Sequence, residues 1–289
     1  MKVLSTLSVF VAASVSMADF QTTVIASGLA SPTGIAVSGA GGGTTVYFTQ
    51  VPTPGVPGSM GGMNSVNFLT RTSMGVISMG EPEPVNLALS NRGDLYWTCR
   101  TAGVILGMDH RTHEVGLVLG GLDMPTGIAT YKDELFFTQL PTPGVPGGMN
   151  TVNRYADGVV TTLTMGEPEP TDIAVDNQGT AYWTCKSAGV ILKRTRDGAV
   201  SLVRGMLDNP TGIALDKSGR SLYFTEVPTP GIPGSMGGTN KVWRHDLRTG
   251  GLELVHAGDP EPRDIAVAAD GAVYWTCTSA GVIVRAARN

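Results

Sequence analysis

The chain has 289 residues, including 39 Gly and 18 Pro, with 15% charged and 6% aromatic residues and a formal net charge of -4. Gly and Pro together make about a fifth of it, which excludes a helix bundle and favours many short elements joined by turns. The balance is mildly acidic and Lys and Arg are scattered singly, so the footprint of a nucleic-acid or anionic-membrane binder is missing.

Taken in chain order, Lys2 is followed by an apolar stretch from Val3 to Val15 and by Ser16-Met17-Ala18, with small residues at the positions that determine cleavage. This predicts a secretory leader over 1–18 and an exported protein. No second hydrophobic span follows, which disfavours a membrane anchor. Removal of the leader leaves 19 basic against 24 acidic residues, in a single domain over 19–289.

The rest of the chain is repetitive. An aromatic-aromatic-Thr triplet recurs six times, as YFTQ, YWTC, FFTQ, YWTC, YFTE and YWTC, with threonines at Thr49, Thr98, Thr138, Thr184, Thr225 and Thr276. Their separations of 49, 40, 46, 41 and 51 residues suit one four-stranded propeller blade each. Each triplet is preceded by Pro and a small apolar run, PTGIAV, PVNLAL, PTGIAT, PTDIAV, PTGIAL or PRDIAV, which reads as the innermost strand. The triplet closes the second strand. Runs such as Val190-Ile191-Leu192 and Val200-Ser201-Leu202-Val203 supply the third and outermost strands.

The last blade lacks an outermost strand, whereas Thr22 to Ala26 stands ahead of the first Pro as an outermost strand should. The expectation is an all-β, six-bladed β-propeller closed by its N-terminal strand in the last blade, which removes an open sheet edge.

These repeats resemble those of the six-bladed propeller superfamily of YWTD-repeat, NHL-repeat, gluconolactonase and strictosidine-synthase-like proteins. YWTC replaces YWTD in three blades, so the Asp of the receptor repeat has no counterpart here. FTE followed by PTPG is locally similar to virginiamycin-lyase-like propellers. In overall character the chain resembles secreted fungal propellers that steer cycloadditions in natural-product pathways. Such folds host receptors, lactonases and condensing enzymes alike, so the resemblance implies a fold before a function.

Odd and even blades differ, which makes the unit a blade pair repeated three times with pseudo-threefold symmetry. Odd blades carry insertions over Val51 to Asn64, Leu140 to Asn150 and Val227 to Asn240, built on PTPG(V/I)PG. Even blades carry WTC(R/K/T)(T/S)AGVI and are entered through Glu81-Pro82-Glu83-Pro84, Glu167-Pro168-Glu169-Pro170 or Asp259-Pro260-Glu261-Pro262. All of these fall in connections that share one face. That decorated face, around the axis, is where a site is expected.

Glu81, Glu83, Glu167, Glu169, Asp259 and Glu261 are candidate proton donors, although Glu-Pro-Glu-Pro also suits a stiff solvated connector. Asn86, Asp172 and Asp264 share one position, where odd blades have Gly34, Gly127 and Gly212, and form a candidate polar ring for substrate, or local caps on backbone amides. An oxygen-rich ring could take calcium, but the gluconolactonase resemblance implies metal ligands mostly one residue earlier, at Val85, Thr171 and Arg263. That departure argues against a transferred metal site, and no redox cofactor is implied.

Cys99, Cys185 and Cys277 lie two blades apart and read as packing residues, and Trp97, Trp183 and Trp275 as core between blades. Met60, Met63, Met149 and Met236 could line an apolar cavity or pack on one another as a plug. The third unit breaks the symmetry. His256 stands where Ser78 and Thr164 occur, and Arg263 where Val85 and Thr171 occur, making both candidates for catalysis. There is no G-x-S-x-G elbow, P-loop, HExxH or Rossmann fingerprint in a suitable context.

The expected function is a secreted, cofactor-independent enzyme of lyase or cyclase type acting on a small, largely apolar organic molecule. The alternatives are a non-catalytic binding or adhesion propeller, favoured by the near-identity of the three units, and a calcium-dependent lactonase.

Overall fold

The computed structural model describes residues 15–17, 19–52, 62–144, 148–228 and 238–288. Six four-stranded antiparallel sheets follow one another along the chain, and a single 3₁₀ turn, Gly41–Gly43, is the only helical element among the described residues. Each blade begins at the predicted Pro, with innermost strands Pro32–Ser38, Pro84–Leu89, Pro125–Tyr131, Pro170–Val175, Pro210–Leu215 and Pro262–Val267. These six strands neighbour one another in order, and the last lies beside the first, so the ring closes.

Closure is made as the termini predict. Phe20–Ala26 pairs antiparallel with Val282–Arg288 and becomes the outermost strand of blade six. One further strand was not expected: Val15–Met17 runs parallel to Leu252–Leu254 and adds a fifth strand to blade five.

The core lies between blades. Trp97, Trp183, Trp275, Phe48, Phe137 and Phe224 come from the triplets and are fully buried, which places them in the inter-blade core as expected. The three cysteines are free and buried beside them. Burial pushes the thiols of Cys99 and Cys185 up to about 12, and raises that of Cys277, with the neighbouring carboxylates Glu81, Glu167 and Asp259 adding to the effect.

The threonines explain why a hydroxyl recurs where an apolar residue would pack more cheaply. Thr33 donates to the Pro84 carbonyl at 3.3 Å, Thr98 to that of Thr126 at 2.7 Å, and Thr126 to that of Pro170 at 3.3 Å. Thr184 donates to the Thr211 carbonyl at 2.7 Å, Thr211 to that of Pro262 at 3.4 Å, and Thr276 to that of Thr33 at 2.7 Å. Each of the six bonds crosses from one blade to the next, and together they form a closed belt. The odd-blade triplet threonines, Thr49, Thr138 and Thr225, stay within their blades and accept the N–H of Gly34, Gly127 and Gly212.

Those glycines permit the close approach of neighbouring innermost strands. A Cβ at Gly34, Gly127 or Gly212 would lie 2.7, 2.5 or 2.7 Å from the Cα of Asn86, Asp172 or Asp264 respectively. The alternation of Gly with Asn or Asp is therefore a packing rule: the odd blade gives room and the even blade supplies the side chain on the axis.

Candidate functional site

Asn86, Asp172 and Asp264 are buried at the axis and line a cavity of about 50 Å³ together with Val85, Arg100, Thr126, Thr171, Thr211 and Arg263. Blades two, four and six each bring a side chain from the start of the innermost strand, and Thr126 and Thr211 come from odd blades. The lining therefore joins residues up to 179 positions apart, Val85 to Asp264.

Inside this cavity the threefold pattern fails. The Asp172 carboxylate accepts the N–H of Ile173 and of Ile213, both at 2.7 Å, and the Asn86 amide at 2.9 Å. Asp264 accepts the N–H of Ile265 at 2.7 Å and of Ile35 at 2.8 Å, linking blade six to blade one. Burial raises Asp172 to about 7, against the pull of its backbone donors. Burial and the Asp172 charge raise Asp264 well above the usual carboxylate range. Burial and mutual charge thus both favour keeping a proton on the pair as pH rises. Asn86, at the third corner, carries none.

Calcium does not fit this arrangement. The ion wants about six to eight oxygen ligands. Here every carboxylate oxygen of the pair already accepts a backbone N–H, Asn86 points its amide donor at Asp172, and Arg263 contributes a positive charge to the lining.

The acidic links lie near the cavity, and their carboxylates are not among its lining residues. All six are half-buried. Glu81 accepts a very short bond from the Ser78 hydroxyl and a weak one from the Cys99 thiol. Glu83 and Glu261 pair with Arg100 at 3.4 Å and Arg263 at 3.7 Å. Glu83, Glu169 and Glu261 hold φ of +54°, +52° and +52°, and their carbonyls accept the N–H of Arg100, Lys186 and Thr278. Asn64, Asn150 and Asn240, which end the odd-blade insertions, donate to the carbonyls of Glu81, Glu167 and Asp259. The links are thus held rigidly, in left-handed conformations that only this bonding sustains.

His256 and Asp259 are brought together, 3.1 Å apart, and Asp259 also accepts the indole N–H of Trp275 at 2.7 Å. The bond to Asp259 raises His256. Burial works against Asp259, but the bonds from His256 and Trp275 outweigh it and hold the carboxyl below its ordinary range. Trp97 and Trp183 have no such partner for their indole N–H among the described residues. This dyad is also absent from the lining of the axial cavity.

Met63 and Met149 are 60% and 57% exposed and do not line it either, while Met60 and Met236 lie outside the described residues. Arg100, Thr126 and Thr211 are the lining residues that sequence reasoning did not single out. For Arg100 the signal was present, since Arg100, Lys186 and Thr278 differ at one position of a motif that is otherwise nearly uniform.

No family model and no curated protein matches the chain. Solved structures do match in fold. A gluconolactonase from Xanthomonas campestris superposes with TM-score 0.71 at 16% identity, covering 94% of this chain and 90% of its own. A streptogramin B lyase gives 0.61 at 17% identity, with 93% and 98% coverage. A calcium-binding protein, regucalcin, from Agrobacterium tumefaciens gives 0.65 at 13% identity, with 93% and 94% coverage. The chain is a six-bladed β-propeller whose structural neighbours are gluconolactonase- and lyase-type propellers, enzymes among them.

Proposed function

We propose that this chain is an exported, cofactor-independent enzyme that performs acid-base chemistry of lyase or cyclase type on a small organic molecule held at the axial mouth of its decorated face. The observation that carries this reading is the buried carboxyl pair Asp172 and Asp264 on the wall of the axial cavity, both held above the ordinary carboxylate range by burial. A carboxyl that stays protonated near neutral pH can donate to a substrate oxygen, and catalytic acids are tuned in this way. The proton donor is then this pair, and not the acidic links, whose carboxylates stay out of the cavity lining.

The proton would pass from the pair to the substrate oxygen where charge develops. Repulsion between two bare carboxylates would then draw a proton back from the product, so the pair is restored at the end of each turnover. Asn86, bonded to Asp172, fixes that carboxylate in place. The belt and the backbone donors keep the pair from relaxing, which is the preorganisation that electrostatic catalysis needs.

The experiment is a turnover screen of lactones, activated esters and substrates for elimination or cyclisation, with the wild type and Asp264→Asn side by side. The expected result is turnover that falls by about 100-fold in Asp264→Asn, the scale of a lost general acid, while the fold is retained by circular dichroism. Turnover unchanged in the variant would overturn the assignment of the pair.

A further inference from the structure

The rim of the axial cavity departs from threefold symmetry in charge. Two positions of each even blade differ between units: one ahead of the axial polar residue, occupied by Val85, Thr171 and Arg263, and one after the triplet cysteine, occupied by Arg100, Lys186 and Thr278. Of the cations among them, Arg100 and Arg263 line the cavity. They come from blades two and six, on either side of blade one.

Neither guanidinium is used up by its acidic partner. Arg100 meets Glu83 through one contact at 3.4 Å, and Arg263 meets Glu261 through one at 3.7 Å. These are long, single-point and partly solvated pairs. Arg154 shows what a committed pair looks like in this protein, with Nε 2.9 Å and Nη2 2.5 Å from the two oxygens of Glu134. The Nε of Arg100 is buried and has no hydrogen-bond partner among the described residues. An unmade bond of that kind is a cost left standing in the empty protein.

The size of the cavity narrows the choice of occupant. About 50 Å³ suits one compact polar group, since a cavity that admits benzene measures about 150 Å³. It cannot hold the body of an organic molecule. Planar guanidinium edges select planar oxyanions, carboxylate above all, through paired N–H donors.

Building on the enzyme reading above, we propose that the substrate is an organic carboxylate whose anionic group seats between Arg100 and Arg263, with its body directed outward to the mouth. The guanidiniums then set the orientation and the carboxyl pair supplies the proton. The broken symmetry selects one of three otherwise equivalent ways to bind.

The test uses the full chain with benzoate as the probe and benzamide as its neutral isostere, in calorimetric or NMR titrations. Arg100→Thr and Arg263→Thr are the variants, because Thr278 and Thr171 occupy those positions in other blades of the same fold. Benzoate is expected to bind at least about tenfold more tightly than benzamide, as a charge-assisted bond pair implies. Each variant should lose about tenfold for benzoate and leave benzamide unchanged.

Equal binding of the two probes, no binding of benzoate at millimolar concentration, or insensitivity to both substitutions would overturn the anion site. The turnover of Asp264→Asn separates this from the acid-base reading. Lost benzoate preference in the arginine variants supports the anion site whatever becomes of the proton donor. Retained preference in the arginine variants removes the anion site and leaves the carboxyl pair to be judged by turnover.

Discussion

The threonine belt and the axial cavity are built by the same six blades, lie against each other, and obey opposite rules. In the belt all three units are alike: three even-blade bonds of 2.7 Å alternate with three odd-blade bonds of 3.3–3.4 Å. In the cavity no two units agree, since Val85, Asn86 and Arg100 face Thr171 and Asp172 from blade four and Arg263 and Asp264 from blade six. Groups that hold a ring together gain from repetition, because each interface poses the same unsatisfied backbone atoms. Groups that act on one small molecule gain from difference.

The largest expected effect separates the two regions by pH. Asp172 and Asp264 hold raised values in the folded protein, so between about pH 4 and about pH 7 the folded state binds more protons than the unfolded one, and stability must fall as pH rises through that window. A shift from 3.8 to about 7 corresponds to up to about 4 kcal/mol. Urea melts should show this fall in the wild type and a smaller one in Asp264→Asn, where one of the two raised carboxyls is gone and Asp172 stays buried.

Next comes the packing rule that joins the regions. Gly127→Ala places a Cβ 2.5 Å from the Asp172 Cα, and backbone cannot yield cheaply, so a loss of about 3 kcal/mol is expected in the same assay. Thr98→Val tests the belt alone. It removes the donor to the Thr126 carbonyl, costing about 1 kcal/mol without altering the pH profile.

The tryptophans sharpen the comparison on a smaller scale. Trp275→Phe strips Asp259 of a 2.7 Å donor, whereas Trp183→Phe removes an N–H that has no partner among the described residues. The first should cost about 1 kcal/mol more than the second in thermal melts. The smallest effect is on reactivity: with Cys99 and Cys185 pushed up to about 12 and buried, iodoacetamide at pH 8 should label them only after unfolding.

Most of the fold was legible in the sequence because one blade obeys local rules: a Pro that opens a strand, an aromatic triplet that closes one, and a fixed period. Ring closure was legible too, from a missing outermost strand at one terminus and a spare one at the other. Asn86, Asp172 and Asp264 were legible as a set because repeat alignment exposes equivalent positions. Their retained proton was not, because it depends on how far the even blades lean inward, and that is set by Gly34, Gly127 and Gly212 across the interface. Arg100 escaped notice for a related reason: a charged residue in a turn motif reads as surface until the ring brings it beside Arg263.

The most direct test is a ¹³C NMR titration of aspartate carboxyls in the wild type and in Asp264→Asn. A carboxyl that remains protonated at pH 6 in the wild type and disappears in the variant is the predicted result. Carboxyls that are all ionised by pH 5 in the wild type would contradict the retained proton, and with it the place of this pair at the centre of the site.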